Sequence, residues 1–356
     1  MPHPILTDLN PSQKEAVSWP ADKPLLVLAG AGSGKTRILT RRIAHFIFQG
    51  IPAFQILGVT FTNKAAEEMR RRVKKLVRQE VWVRTFHSTC LRILREEAQA
   101  LGLPRDFLIF DEQDQLSVLK ECLKEMNLAE RQVHPKGARE LIQRAKDYLL
   151  TPYQFLEKAS DYYEETVGKV YVRYEEKLLK LGGLDFGDLI LKTVFLYDRH
   201  PKILEAWQDR LRHILIDEYQ DTNHAQYRFV KLLASKYQQI TVVGDPDQSI
   251  YGWRGADIRN ILNFENDYPE AGTIKMEQNY RSPTTILEAA NALIQHNEFR
   301  KPKLLWGEKG AGEFITLYEA TDEKDEAEFV IQEILEKLKA GRTLNEMAVF
   351  YRVHAQ

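Results

Sequence analysis

Unbroken apolar runs, more than alternating ones, set the pattern of this chain. Leu25 to Leu28, Ile214 to Ile216 and the run ending at Val242 and Val243 have no polar interruption, and each stops at a small-residue or acidic turn. Strands buried on both faces look like this, as in a parallel sheet covered by helices. After the first run, Ile38, Leu39, Ile43, Phe46 and Ile47 recur at helical spacing, and further strand–helix pairs follow to about residue 88. From about 89 to 184 long amphipathic stretches such as DQLSVLKECLKEM and VYVRYEEKLLKLGG dominate. The buried-strand pattern returns in HILIDE and QQITVVGD. The expected fold is therefore α/β, a parallel-sheet lobe over 1–88 and 185–277 with a helical insertion over 89–184. Near Gln278 a third region begins. There PTTILEAANALIQH and DEAEFVIQEILEKLKA read as helices, and FITLYEA and EMAVFYR as strands, which gives the start of a second lobe over 278–356.

The turns after the buried runs carry the chemistry. Ala29, Gly30, Ala31, Gly32, Ser33, Gly34, Lys35 and Thr36 form a small-residue loop between a strand and a helix, the setting of a P-loop. Alanine takes the place of the motif's first glycine, a mild change. Gly32 and Gly34 let backbone N–H groups converge on a phosphate at a helix N-terminus. Lys35 supplies a point charge to the β and γ phosphates, and Thr36 a hydroxyl for Mg²⁺. At the end of the HILIDE strand, Asp217 fits a Mg²⁺-holding carboxylate and Glu218 a group that orients or deprotonates an attacking water. An isolated Asp-Glu pair is ordinarily a solvated loop; beside a P-loop it points to hydrolysis. The stretch VVGDPDQSIYGWRGAD then sets Gln248, suited to phosphate oxygens, close to Tyr251, Trp253 and Arg254, suited to flat rings.

Composition adds limits. Fifty basic and 51 acidic residues nearly cancel, so a polyanion site has to be a local patch. The basic run RRRVKKLVR at 70–78 reads as a solvated helix face. Two cysteines, Cys90 and Cys122, without metal-ligand spacing around them suit a reducing cytoplasm and argue against a disulfide framework or a zinc site. The N-terminus lacks signal-peptide character, and no apolar run is long enough to span a bilayer.

In order, AGAGSGKT, TFTNKAA, TFHS, DEYQDTN, VVGDPDQSIYGWRGAD and QNYRSP resemble the superfamily 1 DNA helicases of the PcrA, UvrD and Rep group, with the PcrA type nearest. The resemblance runs from about Leu9 to the last residue. It implies RecA-like lobes, the first with a helical insertion, ATP and Mg²⁺ as cofactors, and 3′ to 5′ translocation on single-stranded DNA coupled to duplex unwinding. Single strands and single-strand/duplex junctions are the implied partners, with repair or replication proteins beside them.

Residue by residue, the resemblance makes Gln13 an adenine reader, Arg37 a second base-side contact, Tyr280 a ring stacked on adenine, Gln248 a γ-phosphate sensor and Arg281 an arginine finger. It makes Tyr251, Trp253 and Arg254 a group facing single-stranded DNA, with Phe61, Asn63, Thr85, Phe86, His87 and, more weakly, Phe186 as further DNA contacts. Without the resemblance, each lone aromatic reads as core and Gln13 as a surface glutamine. The family's second lobe continues past the point where this sequence stops, so the chain is expected to be a portion of the motor that binds ATP and DNA, completed by a missing C-terminal part. The competing expectations are a helicase-like subunit of a recombination nuclease complex and a nucleotide-gated DNA-binding module without turnover.

Overall fold

The computed structural model describes residues 5–129, 131–298, 300–351 and 353. Its strands, in chain order, are β1 (Leu25–Ala29), β2 (Ile56–Thr60), β3 (Trp82–Thr85), β4 (Leu108–Phe110), β5 (Gly183–Asp185), β6 (His213–Ile216), β7 (Ile240–Gly244) and β8 (Gly272–Met276). Six of them form one parallel sheet in the order β3-β2-β6-β7-β1-β8.

Alternate residues of β1, β2, β6 and β7 enter opposite cores, which is why their apolar runs are unbroken. Leu26, Leu28, Leu57, Val59, Ile214, Ile216 and Val242 pack in one cluster. Leu25, Val27, Ala29, Ile56, Leu215 and Val243 pack in the other. Helices α1 (Pro11–Ser18), α2 (Lys35–Phe48) and α3 (Asn63–Val77) feed the second cluster, through Ala16, Ile38, Leu39, Ile43, Phe46 and Met69. The first is fed by Phe86 and Ile93 of α4 (Phe86–Glu96). The exposed side of α3 carries Arg71, Arg72, Lys74 and Lys75, in keeping with a solvated basic face.

Between α4 and β5 lie α5 (Glu112–Glu125), α6 (Pro135–Asp147), α7 (Pro152–Lys158) and α8 (Tyr162–Lys180). They have a core of their own, with Leu119, Cys122, Ala138, Ile142, Val170, Tyr171 and Tyr174. Several links tie them to the lobe, two of them at β5. The short strands β4 and β5 pair in parallel. Buried Lys146 of α6 meets Glu175 at 2.6 Å, Asp185 at 2.7 Å and Asp188 at 2.9 Å.

After β5 come α9 (Phe186–Arg199), α10 (Pro201–Arg210) and α11 (His224–Ala234), which bring Val194, Tyr197, Trp207 and Phe229 into the first cluster. Two single-turn helices, α12 (Arg259–Leu262) and α13 (Phe264–Asp267), lead to β8. β8 is an edge strand with Thr273 and Lys275 exposed and Ile274 and Met276 buried. That alternation hides it from a search for unbroken apolar runs.

Helix α14 (Thr284–Ile294) forms as its pattern predicts. Residues 1–310 and 311–356 are separate compact units. In the second unit α15 (Glu323–Lys339) forms, capped by Asp322, and Tyr318 stacks on Phe329 with ring centroids 4.0 Å apart. The strands expected at 314–320 and 346–352, of which Arg352 lies outside the described residues, do not form among the described ones: neither stretch pairs with another strand, and Phe314, Leu317 and Phe350 are almost fully exposed. Strand propensity becomes a strand only through a hydrogen-bonded neighbour, and neither segment has one here.

Candidate functional site

Because the sheet is parallel, every strand delivers its following turn to the same edge, where ligands of open α/β sheets bind. β1 gives the phosphate-loop motif, β6 gives Asp217 and Glu218, and β7, which lies between them, gives Gln248. Lys35 Nζ stands 2.5 Å from Glu218 Oε2 and 3.5 Å from Gln248 Oε1. Three neighbouring strand ends therefore meet at one ammonium group. Glu218 takes a left-handed backbone, φ 50°. For a residue with a Cβ that conformation costs about 1–2 kcal/mol, and here it accompanies the meeting of the carboxylate with Lys35.

Thr36 Oγ1 donates to Asp217 Oδ2 at 3.4 Å. Burial and the neighbouring Glu218 push the Asp217 carboxyl up to about 6, against the pull of Lys35. A buried carboxylate and a hydroxyl this close are the hard oxygen pair that a Mg²⁺ ion takes, and added positive charge would favour the ionised form.

The motif loop is shaped by its glycines and braced from outside. Gly32 and Gly34 have φ of 68° and 95°, a region other side chains rarely adopt, and a Cβ on Gly32 would lie 2.5 Å from Asn279 Nδ2. Ser33 Oγ donates to the Gly30 carbonyl at 2.7 Å. The QNYRS stretch lies directly on the loop: Asn279 Nδ2 donates to the Ala31 carbonyl at 2.6 Å, and the Tyr280 N–H to the Gly32 carbonyl at 3.0 Å.

Gln13 is buried, not a surface residue, and its amide is engaged at both ends. Oε1 accepts from the Asn10 N–H at 3.1 Å, and Nε2 donates to the Ser33 carbonyl at 2.9 Å. Asn10 Nδ2 also donates to the Tyr280 hydroxyl at 2.8 Å, and Arg37 donates to the Asp8 carbonyl at 2.8 Å. Gln13, Arg37 and Tyr280 thus gather around the start of α1. Arg281 is exposed, and its guanidinium has no partner among the described residues.

Beyond Gln248 the chain turns outward. Tyr251 and Trp253 are exposed, Trp253 to 73%, and the Arg254 guanidinium lies 4.5 Å from the Trp253 ring and 5.6 Å from Tyr251. At the ends of β2 and β3 the candidates separate. Phe86 is 1% exposed and belongs to the core, so its ring is no platform; it stands 5.4 Å from the half-buried Phe61. Thr85 is buried, and its hydroxyl caps α4 by accepting from the Ser88 N–H at 3.3 Å. Asn63 is exposed at the start of α3. His87 lies edge-on to the exposed Phe186 ring at 6.0 Å, and burial lowers its pKa, favouring the neutral imidazole.

The UvrD/REP helicase N-terminal domain model matches residues 9–269, and the UvrD-like helicase C-terminal domain model matches 274–356. The chain belongs to the UvrD/Rep helicase family. Among its relatives, the ATP-dependent DNA helicase PcrA of Staphylococcus aureus is 50% identical over 99% of this chain and 49% of its own length. The protein of that name from Staphylococcus epidermidis is 49% identical over the same shares. The chain spans about half the length of the curated relatives it matches.

In this UvrD/Rep family member several residues outside the motif readings hold the site together. Gln220 donates to Glu218 Oε2 at 2.9 Å and accepts from the Asp245 N–H at 2.9 Å, joining the turns after β6 and β7. Asp245 Oδ2 accepts from Gln248 Nε2 at 2.5 Å, which leaves the Gln248 oxygen facing Lys35. The buried Lys303 ammonium pairs with both Asp245 and Asp247, and Arg300 meets Asp247 at 3.1 Å. Gln220 was within reach of sequence reasoning, because it lies inside DEYQDTN. Lys303 carried no local signal.

Proposed function

We propose that this chain is the ATP-binding portion of a DNA helicase that couples ATP hydrolysis to movement along single-stranded DNA and to strand separation. The observation that carries the reading is the meeting of Lys35, Glu218 and Gln248 beside a phosphate-loop motif, with Trp253 exposed five residues beyond Gln248 in the same turn. Ala29 to Thr36 cradle the phosphates and Lys35 takes their charge. Thr36 and Asp217 hold Mg²⁺, which when bound screens phosphate charge. Glu218 accepts the proton of the attacking water, and Gln248 and Arg281 contact the γ-phosphate. Gln13, Arg37 and Tyr280 hold the adenine, Gln13 after releasing one of its present partners. Tyr251, Trp253, Arg254, Phe61, Asn63, His87 and Phe186 face the single strand, with stacking worth roughly 1–3 kcal/mol per base.

Residues 1–88 and 185–277 serve as the first motor lobe, 89–184 as its insertion and 278–356 as the opening of the second. The setting is the cytoplasm, which suits two buried cysteine thiols; among the described residues no helix is long and apolar enough to cross a membrane. The test is ATP hydrolysis with and without oligo(dT), in a protein that also carries the remainder of the second lobe. Strong stimulation, lost in Glu218→Gln while nucleotide binding persists, is the expected result. Nucleotide-dependent DNA binding without turnover would replace the motor reading with that of a gated binding module.

A further inference from the structure

Helix α6 of the helical insertion ends against both the lobe and the turn that carries Trp253. Lys146, its penultimate residue, is pinned by Glu175, Asp185 and Asp188 and lies 5.6 Å and 5.4 Å from the rings of Tyr171 and Tyr174. The end of the helix is therefore an anchored point. The next residue, Asp147, is largely buried, and its Oδ1 accepts from Gln143 Nε2 at 3.0 Å and from Asn223 Nδ2 at 3.0 Å. Asn223 is not free to turn: its Oδ1 caps α11 by accepting from the Gln226 N–H at 2.9 Å. Its backbone makes an antiparallel bridge with Ala256, and the adjoining Thr222 carbonyl accepts from the Asp257 N–H at 2.9 Å. Asp147 Oδ2 lies 3.8 Å from where a Cβ on Gly255 would stand.

We propose that Asp147 is a positioning residue for the Tyr251–Arg254 turn: through Asn223 it fixes the segment where that turn rejoins the lobe, so the helical insertion sets the placement of Trp253 for a DNA base. The inference rests on the reading that this turn grips single-stranded DNA. Hydrogen-bonded acceptor and donor are 76 residues apart in the chain, and the bond joins the insertion to the loop between β6 and α11. Removing the acceptor leaves the Asn223 Nδ2 without that partner.

The experiment measures binding of fluorescein-labelled oligo(dT) by anisotropy in the 356-residue chain, with a fluorescent ATP analogue as control and thermal melting to confirm folding. Asp147→Ala should weaken oligo(dT) binding about tenfold, the middle of the range for directly coupled side chains, with nucleotide affinity unchanged. In a Trp253→Ala background the same substitution should cost nothing further. Asn223→Asp, which keeps the helix cap but sets carboxylate against carboxylate, should show the same loss. Adding Asp147→Asn to it should restore binding, because donor and acceptor have then exchanged sides and the Gln143 amide can turn its Oε1 to the new donor. Rescue by that exchange is a result that general loosening would not give. Normal oligo(dT) binding by Asp147→Ala, an equal loss with and without Trp253, or no rescue would overturn the proposal. Normal binding by Trp253→Ala alone would instead remove the DNA reading of the turn, and this inference with it, and that variant identifies which of the two has failed.

Discussion

The site around Lys35 and the turn around Trp253 share the stretch that runs from Gln248 to Arg254, yet they are built on opposite terms. Near Lys35 most of the candidate side chains are engaged: Lys35 with Glu218 and Gln248, Gln248 with Asp245, and Gln13 with the backbone of Asn10 and Ser33, while Arg281 stays exposed. Around Trp253 the Arg254 guanidinium lies near both the Tyr251 and Trp253 rings, and the two rings are exposed. A phosphate that reaches Lys35 has to exchange with a carboxylate. Since Glu218 is 38% exposed, that pair is screened by water and cheap to open. A base that reaches Trp253 displaces no protein partner except the stacked Arg254 and gains apolar contact. On the proposed reading one site would select by charge exchange, the other by shape without sequence.

The largest effects should come from the engaged site. Lys35→Ala should abolish Mg·ATP binding measured with a fluorescent analogue, since it removes the loop's cation. Glu218→Gln should keep binding and slow hydrolysis by about 10²–10⁴, the usual share of a general base; an unchanged steady-state rate would show that Glu218 serves only as the partner of Lys35. Next in size is a test of which aromatics belong to which ligand. Phe86→Ala should lower stability to denaturant by about 3–5 kcal/mol, because its ring is core. Trp253→Ala should leave stability within about 0.5 kcal/mol and weaken oligo(dT) binding by roughly 1–3 kcal/mol, whatever the base. If the two variants behaved alike, the division between core and platform would fail. The smallest effect is a slope: Arg254→Gln should reduce the salt dependence of oligo(dT) binding by the equivalent of about one phosphate contact.

The turns that meet at Lys35 were legible because they follow strands whose burial on both faces writes a continuous apolar run, as at Leu25–Leu28 and Ile214–Ile216. β8 escaped because an edge strand alternates, and β4 and β5 because three residues make too short a pattern. The aromatics after β2 and β3 looked equivalent in sequence. Their separation depends on which face the first turn of α4 turns inward, and no local spacing records that. The braces were invisible for a related reason. Lys303 meets Asp247 across 56 residues and Asp147 meets Asn223 across 76, distances at which neither partner shapes the pattern around the other. In 311–351 the apolar pattern predicts two strands, and among the described residues neither forms, because neither meets a strand to pair with.

The parallel sheet also settles where the molecule can be handled. All the turns discussed leave the C-terminal ends of the strands, so the turns that lead into them lie at the far edge of the lobe. Gln79, exposed just ahead of β3, is one such position. The chain's two cysteines are buried, and burial pushes Cys90 up to about 12 and Cys122 up to about 11, so neither thiol is readily alkylated near neutral pH. Gln79→Cys would therefore give a single reactive handle for a dye or a surface tether, at the edge away from the proposed nucleotide and DNA sites alike.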